Sequence, residues 1–118
     1  MFLQLNHKKL EVFQVSMKLS LECYGITKIF PPEERFNLTQ QIRRAAISVH
    51  LNIAEGASRK SEAERKRFYE IARGSVIEID SAIEIAYKLG YCKIEELKNL
   101  GDHIIGCFKM LTGMIIPK

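Results

Sequence analysis

Residues 38–56 of the chain read LTQQIRRAAISVHLNIAEG, and this stretch decides the fold. Its apolar residues recur at steps of three and four, the spacing of one face of an α-helix. The stripe consists of Leu38, Ile42, Ala45, Val49 and Ile53. A second apolar set lies off that stripe and comprises Ala46, Ile47, Leu51 and Ala54. A helix apolar on so many sides is buried on most of them, and in a chain of 118 residues we expect part of it to meet another subunit.

The same spacing continues on both sides of this stretch. It predicts helices over roughly residues 7–29, 34–55, 61–89 and 94–115. Pro31 and Pro32 stop the first helix, because proline cannot donate a backbone hydrogen bond and restricts the residue before it. The stripe expected to bury the first helix consists of Leu10, Phe13, Met17, Leu21 and Tyr24.

Local signals mark the ends of the predicted helices. Ser61 and Glu64 form a capping-box pattern at the start of the third helix. Gly56 is expected to end the second helix in a left-handed conformation, and Gly90 follows the third. Gly74, inside the third helix, costs about 1 kcal/mol against alanine and therefore suggests the close approach of another helix.

No strand alternation, internal repeat or low-complexity stretch interrupts these helices. Four helices with short connections predict an all-α, antiparallel up-down-up-down four-helix bundle. We expect one domain over residues 1–118, assembled as a ring-like homo-oligomer.

Composition narrows the function classes only slightly. Eighteen basic and 14 acidic residues give a formal net charge of +4, which permits binding to a polyanion without demanding it. Three single cysteines without a C-x-x-C pair indicate buried thiols in a reducing compartment. The N-terminus lacks the charge order of a signal peptide, and no apolar run could span a membrane. These observations predict a cytoplasmic protein.

Catalytic and metal motifs are scarce. None of the three histidines has a glutamate three positions before it, which a di-metal site in a helical bundle needs. We expect no metal, no cofactor and no enzymatic activity. One alternative stays open, because Arg44 and His50 resemble the R-x(4–6)-H signature of the HEPN ribonucleases. In that case His50 would act as general acid–base on RNA and Arg44 would stabilise the phosphate.

Basic residues crowd the start of the third helix. The candidates for nucleic-acid binding are Arg59, Lys60, Arg65, Lys66, Arg67 and Arg73. They would act as phosphate contacts with little sequence specificity. The equally weighted alternative is a solvated face with ion pairs along the helix, such as Glu62 with Lys66. A structural adaptor without affinity for nucleic acid is then the remaining function.

Several blocks of the chain resemble one known family. They are ERF at 34–36, LTQQIRRAAISV at 38–49, NIAEG at 52–56, IARGS at 71–75 and LGY at 89–91. With Arg59, Ser61, Phe68 and Glu78, they are similar to the four-helix-bundle proteins encoded in 23S ribosomal RNA intervening sequences. The resemblance extends over about residues 10–115.

The resemblance implies a left-handed bundle that assembles as a homopentamer without known enzymatic activity. A related branch, the accessory variability determinant of diversity-generating retroelements, implies RNA or DNA and a reverse transcriptase as further partners. The chain departs from the family at His50, where members often carry proline. The residues that we expect to make polar or apolar contacts within or between subunits are Arg43, Arg44, Ile47, Leu51, Asn52 and Glu55.

Overall fold

The chain forms four α-helices joined by short connections. The computed structural model describes residues 1–116, apart from the side chain of Lys9. The helices are α1 (Glu11–Thr27), α2 (Leu38–Ala57), α3 (Glu62–Lys88) and α4 (Lys98–Ile115). Short 3₁₀ turns over Asn6–Lys9, Pro32–Glu34 and Ile94–Leu97 precede α1, α2 and α4. No β-strand occurs in residues 1–116, so the prediction of a single all-α domain with four helices is confirmed.

Three helices begin later than the apolar spacing indicated, and the first is α1, which starts at Glu11 after the 3₁₀ turn over Asn6–Lys9. The segment after Pro31 makes a 3₁₀ turn, and Asn37 then has φ −119° and ψ −107°, which is not helical. For this reason α2 starts at Leu38. The 3₁₀ turn over Ile94–Leu97 likewise delays α4 to Lys98, and of its two apolar residues Leu97 is buried and Ile94 is exposed.

Each helix packs against two others, in the cyclic order α1, α2, α3, α4 and back to α1. The centre of the bundle is filled by fully buried aliphatic side chains, among them Leu19, Ile42, Ile53, Ile79 and Leu111. One polar contact for each neighbouring pair of helices is Ser20 with Ala46, Ser48 with Ser75, Arg73 with Thr112 and Glu22 with His103.

The predicted core stripe of α1 is wrong for three of its members. Met17, Leu21 and Tyr24 are 44%, 66% and 36% exposed. The face of α1 that is buried instead carries Val12, Ser16, Leu19, Cys23 and Thr27. Apolar residues cover two adjacent faces of this helix, and the core takes the one that includes polar residues. Their burial is tolerated because each hydroxyl donates to a carbonyl one turn back, as Thr27 Oγ1 does to Cys23 O at 2.7 Å.

Neither Gly56 nor Gly74 has the role expected from the sequence. Gly56 has no positive φ and lies inside α2, since Gly90 (φ 83°) is the only positive-φ residue described. Gly56 instead permits a close approach, because a Cβ built there would lie 2.9 Å from Phe68 Cβ. A Cβ at Gly74 would meet nothing within 4 Å, so no helix of the same chain approaches it.

At one end of the bundle, two connections are tied together. The Tyr91 hydroxyl donates to Glu34 Oε2 at 2.7 Å, which joins the α3–α4 connection to the α1–α2 connection. The Tyr91 ring also lies against Phe30, with 5.6 Å between ring centroids. The bond to Glu34 raises the pKa of Tyr91. Along the described chain, none of the helices combines the length and the apolar character needed to cross a membrane.

Candidate nucleic-acid interface

Residues 58–67, which form the turn between α2 and α3 and the first turns of α3, carry the densest group of cations; we call this segment the corner. Ser61 begins α3 by accepting a hydrogen bond from the Glu64 amide at 3.1 Å. Arg65 then reaches back, and its Nη1 donates to the carbonyls of Arg59 at 3.0 Å and Lys60 at 2.7 Å. Arg65 therefore fixes the corner from within, and its guanidinium is partly committed to the backbone.

Arg59 lies on the corner with two neighbours of its own. Its Nη2 is 3.3 Å from Glu55 Oε2, and its guanidinium lies over the Phe68 ring at 4.9 Å from the centroid. Both side chains of this ion pair are exposed, so water screens the attraction. Arg59 can release the pair to meet a phosphate at small cost.

The side chains of the other cations at the corner point in different directions. Lys60 and Arg67 are exposed, whereas Lys66 is half-buried beside Ile115 and Ile116 in a groove of about 860 Å³. Arg65, Lys66 and Arg67 are consecutive on a helix, so their side chains are about 100° apart around its axis. The run of basic residues in the sequence is therefore not one basic face.

Arg73 does not join the corner. It is half-buried between α3 and α4, where its Nη1 donates to Thr112 Oγ1 at 3.2 Å. Its guanidinium also lies 5.8 Å from the centroid of Phe108. Of the six predicted contacts, the structure brings Arg59, Lys60 and Arg65 together, leaves Lys66 and Arg67 beside them, and places Arg73 elsewhere.

Acidic residues dilute the charge of this region. Six basic and four acidic residues lie between Glu55 and Arg73. The ion pair that we considered between Glu62 and Lys66 does not form, since among the side chains that the structure describes the lysine and arginine ion pairs comprise Arg59 with Glu55 alone. Lys60, Lys66 and Arg67 are therefore not neutralised by a direct partner in the described structure.

Comparison with known proteins identifies the chain. The model of the 23S rRNA-intervening sequence protein family matches residues 8–113. The chain belongs to this family. The resemblance seen in the sequence is thereby confirmed, and it covers nearly all of the described helices.

One solved structure has the same fold as this intervening-sequence protein. It is a protein of unknown function from the S23 ribosomal protein family of Bacteroides thetaiotaomicron, 21% identical in sequence. The TM-score is 0.82, and the match covers 90% of this chain and 99% of the other. No functionally curated protein matches the chain.

Arg43, in the block that carries the family resemblance, links α2 to α1 by hydrogen bonds. Its Nε donates to Thr27 Oγ1 at 2.8 Å, and its Nη2 donates to Tyr24 O at 3.4 Å. The guanidinium also lies over the Tyr24 ring, 4.7 Å from the centroid. A partly buried guanidinium needs a partner, and a carboxylate is the usual one. Arg43 instead uses a hydroxyl, a carbonyl and a ring, and the polar Thr27 on the core face of α1 was the signal for it.

The remaining residues of the intervening-sequence blocks divide between inside and outside. Asn52 Nδ2 donates to Ser48 O at 2.8 Å and contacts Ser48 Oγ at 3.1 Å, beside the Ser75 hydroxyl. Arg44, Ile47, Leu51 and Glu55 are exposed. The excess apolar surface expected on α2 is therefore present on the single chain.

His50 and Arg44 do not converge. Positions six apart on a helix lie about 120° apart around its axis, and Arg44 is exposed while His50 is half-buried against α1. His50 Nδ1 is 2.7 Å from Ser16 Oγ, and the ring stacks on Phe13. Burial, with a smaller effect of His7, lowers the pKa of His50. Within one chain, Arg44 and His50 are therefore not placed to act on the same phosphate.

Asp102, His103 and Cys107 lie close together in the sequence, as an activated thiol would require, but they do not form one. Cys107 is fully buried, and burial raises its pKa to about 12, so the thiolate is not populated at neutral pH. His103 contacts Glu22 of α1 instead. In the part of the chain that the structure describes, no three metal-ligating side chains come together.

Proposed function

We propose that this chain is a non-enzymatic subunit of a closed homo-oligomer, with five copies, that binds RNA or DNA through phosphate contacts at the corner. Each copy is an up-down-up-down bundle. The order of inter-helix contacts supports this topology, because residue numbers fall along α2 from His50 to Arg43 as they rise along α1 from Phe13 to Thr27. The exposed apolar residues of α1 and α2 support the assembly.

The observation that carries nucleic-acid binding is the fixed, cation-rich corner. Arg65 holds the backbone of Arg59 and Lys60, so those side chains leave a pre-ordered turn and lose less entropy on binding. Lys60, Lys66 and Arg67 have no ion pair among the described residues. One copy offers few contacts, but a ring repeats them around its axis and raises the avidity.

The same corner supports low sequence specificity. Base stacking needs an exposed aromatic face, yet Phe68 is covered by the guanidinium of Arg59 and Tyr69 is buried. Phosphate contacts then supply most of the affinity, which falls with salt through counterion release. The partners proposed here are further copies of the chain, RNA or DNA, and a reverse transcriptase where the chain serves a retroelement. Three free, buried cysteines support the cytoplasm as the compartment.

The test measures binding of fluorescent RNA and DNA as a function of salt. The variant replaces Lys60, Lys66 and Arg67 by glutamine and spares Arg65, which positions the backbone. The matched control replaces Arg35, Lys88 and Lys98 by glutamine. These three cations are exposed away from the corner, so the control removes the same amount of charge.

We expect the first variant to bind more weakly and to reduce the slope of log affinity against log salt by up to about 3, roughly 1 per contact. The control should bind almost as the wild-type protein does. If the wild-type protein does not bind RNA or DNA at low salt, the chain is a structural adaptor instead. If both variants lose the same affinity, the corner is not the binding surface.

A further inference from the structure

A ridge of exposed apolar side chains runs along the seam of α1 and α2. On α1 it comprises Met17, Leu21 and Tyr24, and on α2 Ile47 and Leu51, which are 42% and 54% exposed. The two helices are adjacent at this level, because Ser20, next to Leu21, donates to the carbonyl of Ala46, next to Ile47. A group of exposed apolar side chains along one seam is typical of an interaction site.

A groove with complementary character runs between α3 and α4. Its floor is formed by the buried Val76 and Ile104, and its walls by Ile77, Ile105 and Phe108, which are 51%, 54% and 39% exposed. The groove holds about 350 Å³. Aliphatic side chains from a helix would fill a space of this size and chemistry.

The ridge and the groove lie on opposite sides of the chain. The four helices contact one another in cyclic order, so the α1–α2 pair faces away from the α3–α4 pair. A single chain therefore cannot bring its own ridge to its own groove. Because the two surfaces differ, an interface between them is heterologous, and successive copies follow one another around a closed ring or along a filament.

The charges that flank the two surfaces are complementary. Arg44 is exposed one turn before Ile47 on α2 and has no ion pair among residues 1–116. Asp80 lines the groove and Glu84 follows one turn later on α3, both of them exposed. Lys109 is the one cation that lines the groove, at the α4 wall. The α3 wall therefore offers two carboxylates to the arginine on the ridge.

We infer that copies of this chain join head to tail, with the α1–α2 ridge of one copy seated in the α3–α4 groove of the next. The inference rests on the assembly in the proposed function and names the surfaces that form it. The exposed aliphatic residues of the ridge enter the groove, and Arg44 meets Asp80 at its edge. The occupant of the groove is a second copy of this chain.

The test uses two double variants that each disable one surface. Leu21→Glu with Leu51→Glu disables the ridge, and Ile77→Glu with Ile105→Glu disables the groove. All four positions are at least half exposed, and glutamate is a good helix former, so each chain keeps its fold. Circular dichroism checks that, and sedimentation velocity and native mass spectrometry measure the assembly.

Each double variant should lose assembly, with a dissociation constant raised about 100-fold or more, because carboxylates enter an apolar interface without partners. Mixing the two variants should restore one interface, since the ridge-defective copy keeps its groove and the groove-defective copy keeps its ridge. The mixture should then contain a one-to-one dimer, twice the 13.6 kDa chain mass.

The matched control positions are Ile85 on α3 and Leu89 in the connection between α3 and α4. Ile85 is 51% exposed, as Ile77 is, and Leu89 is 55% exposed, close to Leu51. Ile85→Glu with Leu89→Glu should leave the assembly unchanged.

Four outcomes overturn the inference. A control variant that dissociates as the others do would place the interface elsewhere. Ridge and groove variants that both stay assembled would remove these surfaces from it. Two monomeric variants that stay monomeric on mixing at high micromolar concentration would indicate a self-complementary interface. A monomeric wild-type protein would overturn the proposed assembly as well, which separates the two failures.

Discussion

The imidazole of His50 stacks on the ring of Phe13, with 4.2 Å between the ring centroids and 30° between the planes. His7 meets the same phenyl ring edge-on at 4.9 Å. Phe13 thus holds two histidines, one from the 3₁₀ turn before α1 and one from α2. A neutral imidazole packs well here, whereas a protonated one must give up water and approach a second ionisable ring.

This contact makes stability depend on pH. Burial lowers the pKa of His50 in the folded chain below its ordinary value of 6.5, so the unfolded chain binds the proton more readily. The stability that neutral His50 contributes is full above 6.5 and is lost as pH falls through the lower folded pKa. We expect the free energy of unfolding to decrease more between pH 7 and pH 5 in the wild-type protein than in His50→Gln. Urea unfolding across this pH range measures both; parallel curves would contradict the role of His50.

Arg43→Lys should destabilise the bundle by about 1–2 kcal/mol. Lysine keeps the charge but cannot donate to Thr27 Oγ1 and Tyr24 O while lying flat over the Tyr24 ring. The matched control is Arg44→Lys, one residue later and exposed. It should stay within about 0.5 kcal/mol of the wild-type protein. Urea unfolding midpoints compare the two, and equal losses would show that the contacts with α1 contribute nothing.

Gly56→Ala should lower the stability by roughly 1 kcal/mol or more, because overpacking outweighs the better helix propensity of alanine. The added methyl would lie 2.9 Å from Phe68 Cβ and from Tyr69 Cε1, and the first of these is fixed to the backbone of α3. Gly74→Ala is the control, since nothing lies within 4 Å of its added Cβ. It should stabilise the helix by about 1 kcal/mol. Thermal unfolding decides whether the two substitutions have opposite signs.

We expect no cleavage of RNA by the purified protein. Arg44 and His50 face different directions, and His50 is engaged with Ser16 and Phe13. The measurement incubates structured and single-stranded RNA with wild-type protein, His50→Ala and Arg44→Ala, and analyses the products on denaturing gels. Specific cleavage that disappears in both variants would establish the ribonuclease alternative, with the two residues supplied across a subunit interface.

Apolar spacing predicted the helices well and their buried faces less well. In α2 the predicted stripe is largely the buried one, because Ile42, Ala45, Val49 and Ile53 all reach the core. In α1 the pattern contained two candidate faces, and composition favoured the wrong one. The core face includes Ser16 and Thr27, whose hydroxyls bond to their own helix and to His50 or Arg43. Periodicity cannot detect such a face, since it counts polar residues as solvent-facing.

The candidate site shows a similar limit. The high density of cations over residues 59–67 could be predicted from the sequence, but the different contacts that each cation makes could not. Arg65 bonds to backbone carbonyls and Arg59 lies on Phe68, so two of the cations have structural roles. Consecutive positions on a helix also diverge by about 100°, which separates neighbours in sequence. These features depend on the packing of the corner and leave no local signal.

The bond between Tyr91 and Glu34 gives the bundle an unequal resistance to opening. Two connections are fastened there by a short hydrogen bond and by the packing of Tyr91 on Phe30. The opposite end has a single connection, at the corner, and the exposed segment around Phe2 and Leu3. We therefore expect the helix ends on the corner side to open more readily than those near Tyr91, while the bonds of Arg65 keep the turn itself ordered. Amide hydrogen exchange should therefore be faster at the corner end of the bundle than near Tyr91. A polyanion bound at the corner should slow exchange most at that end.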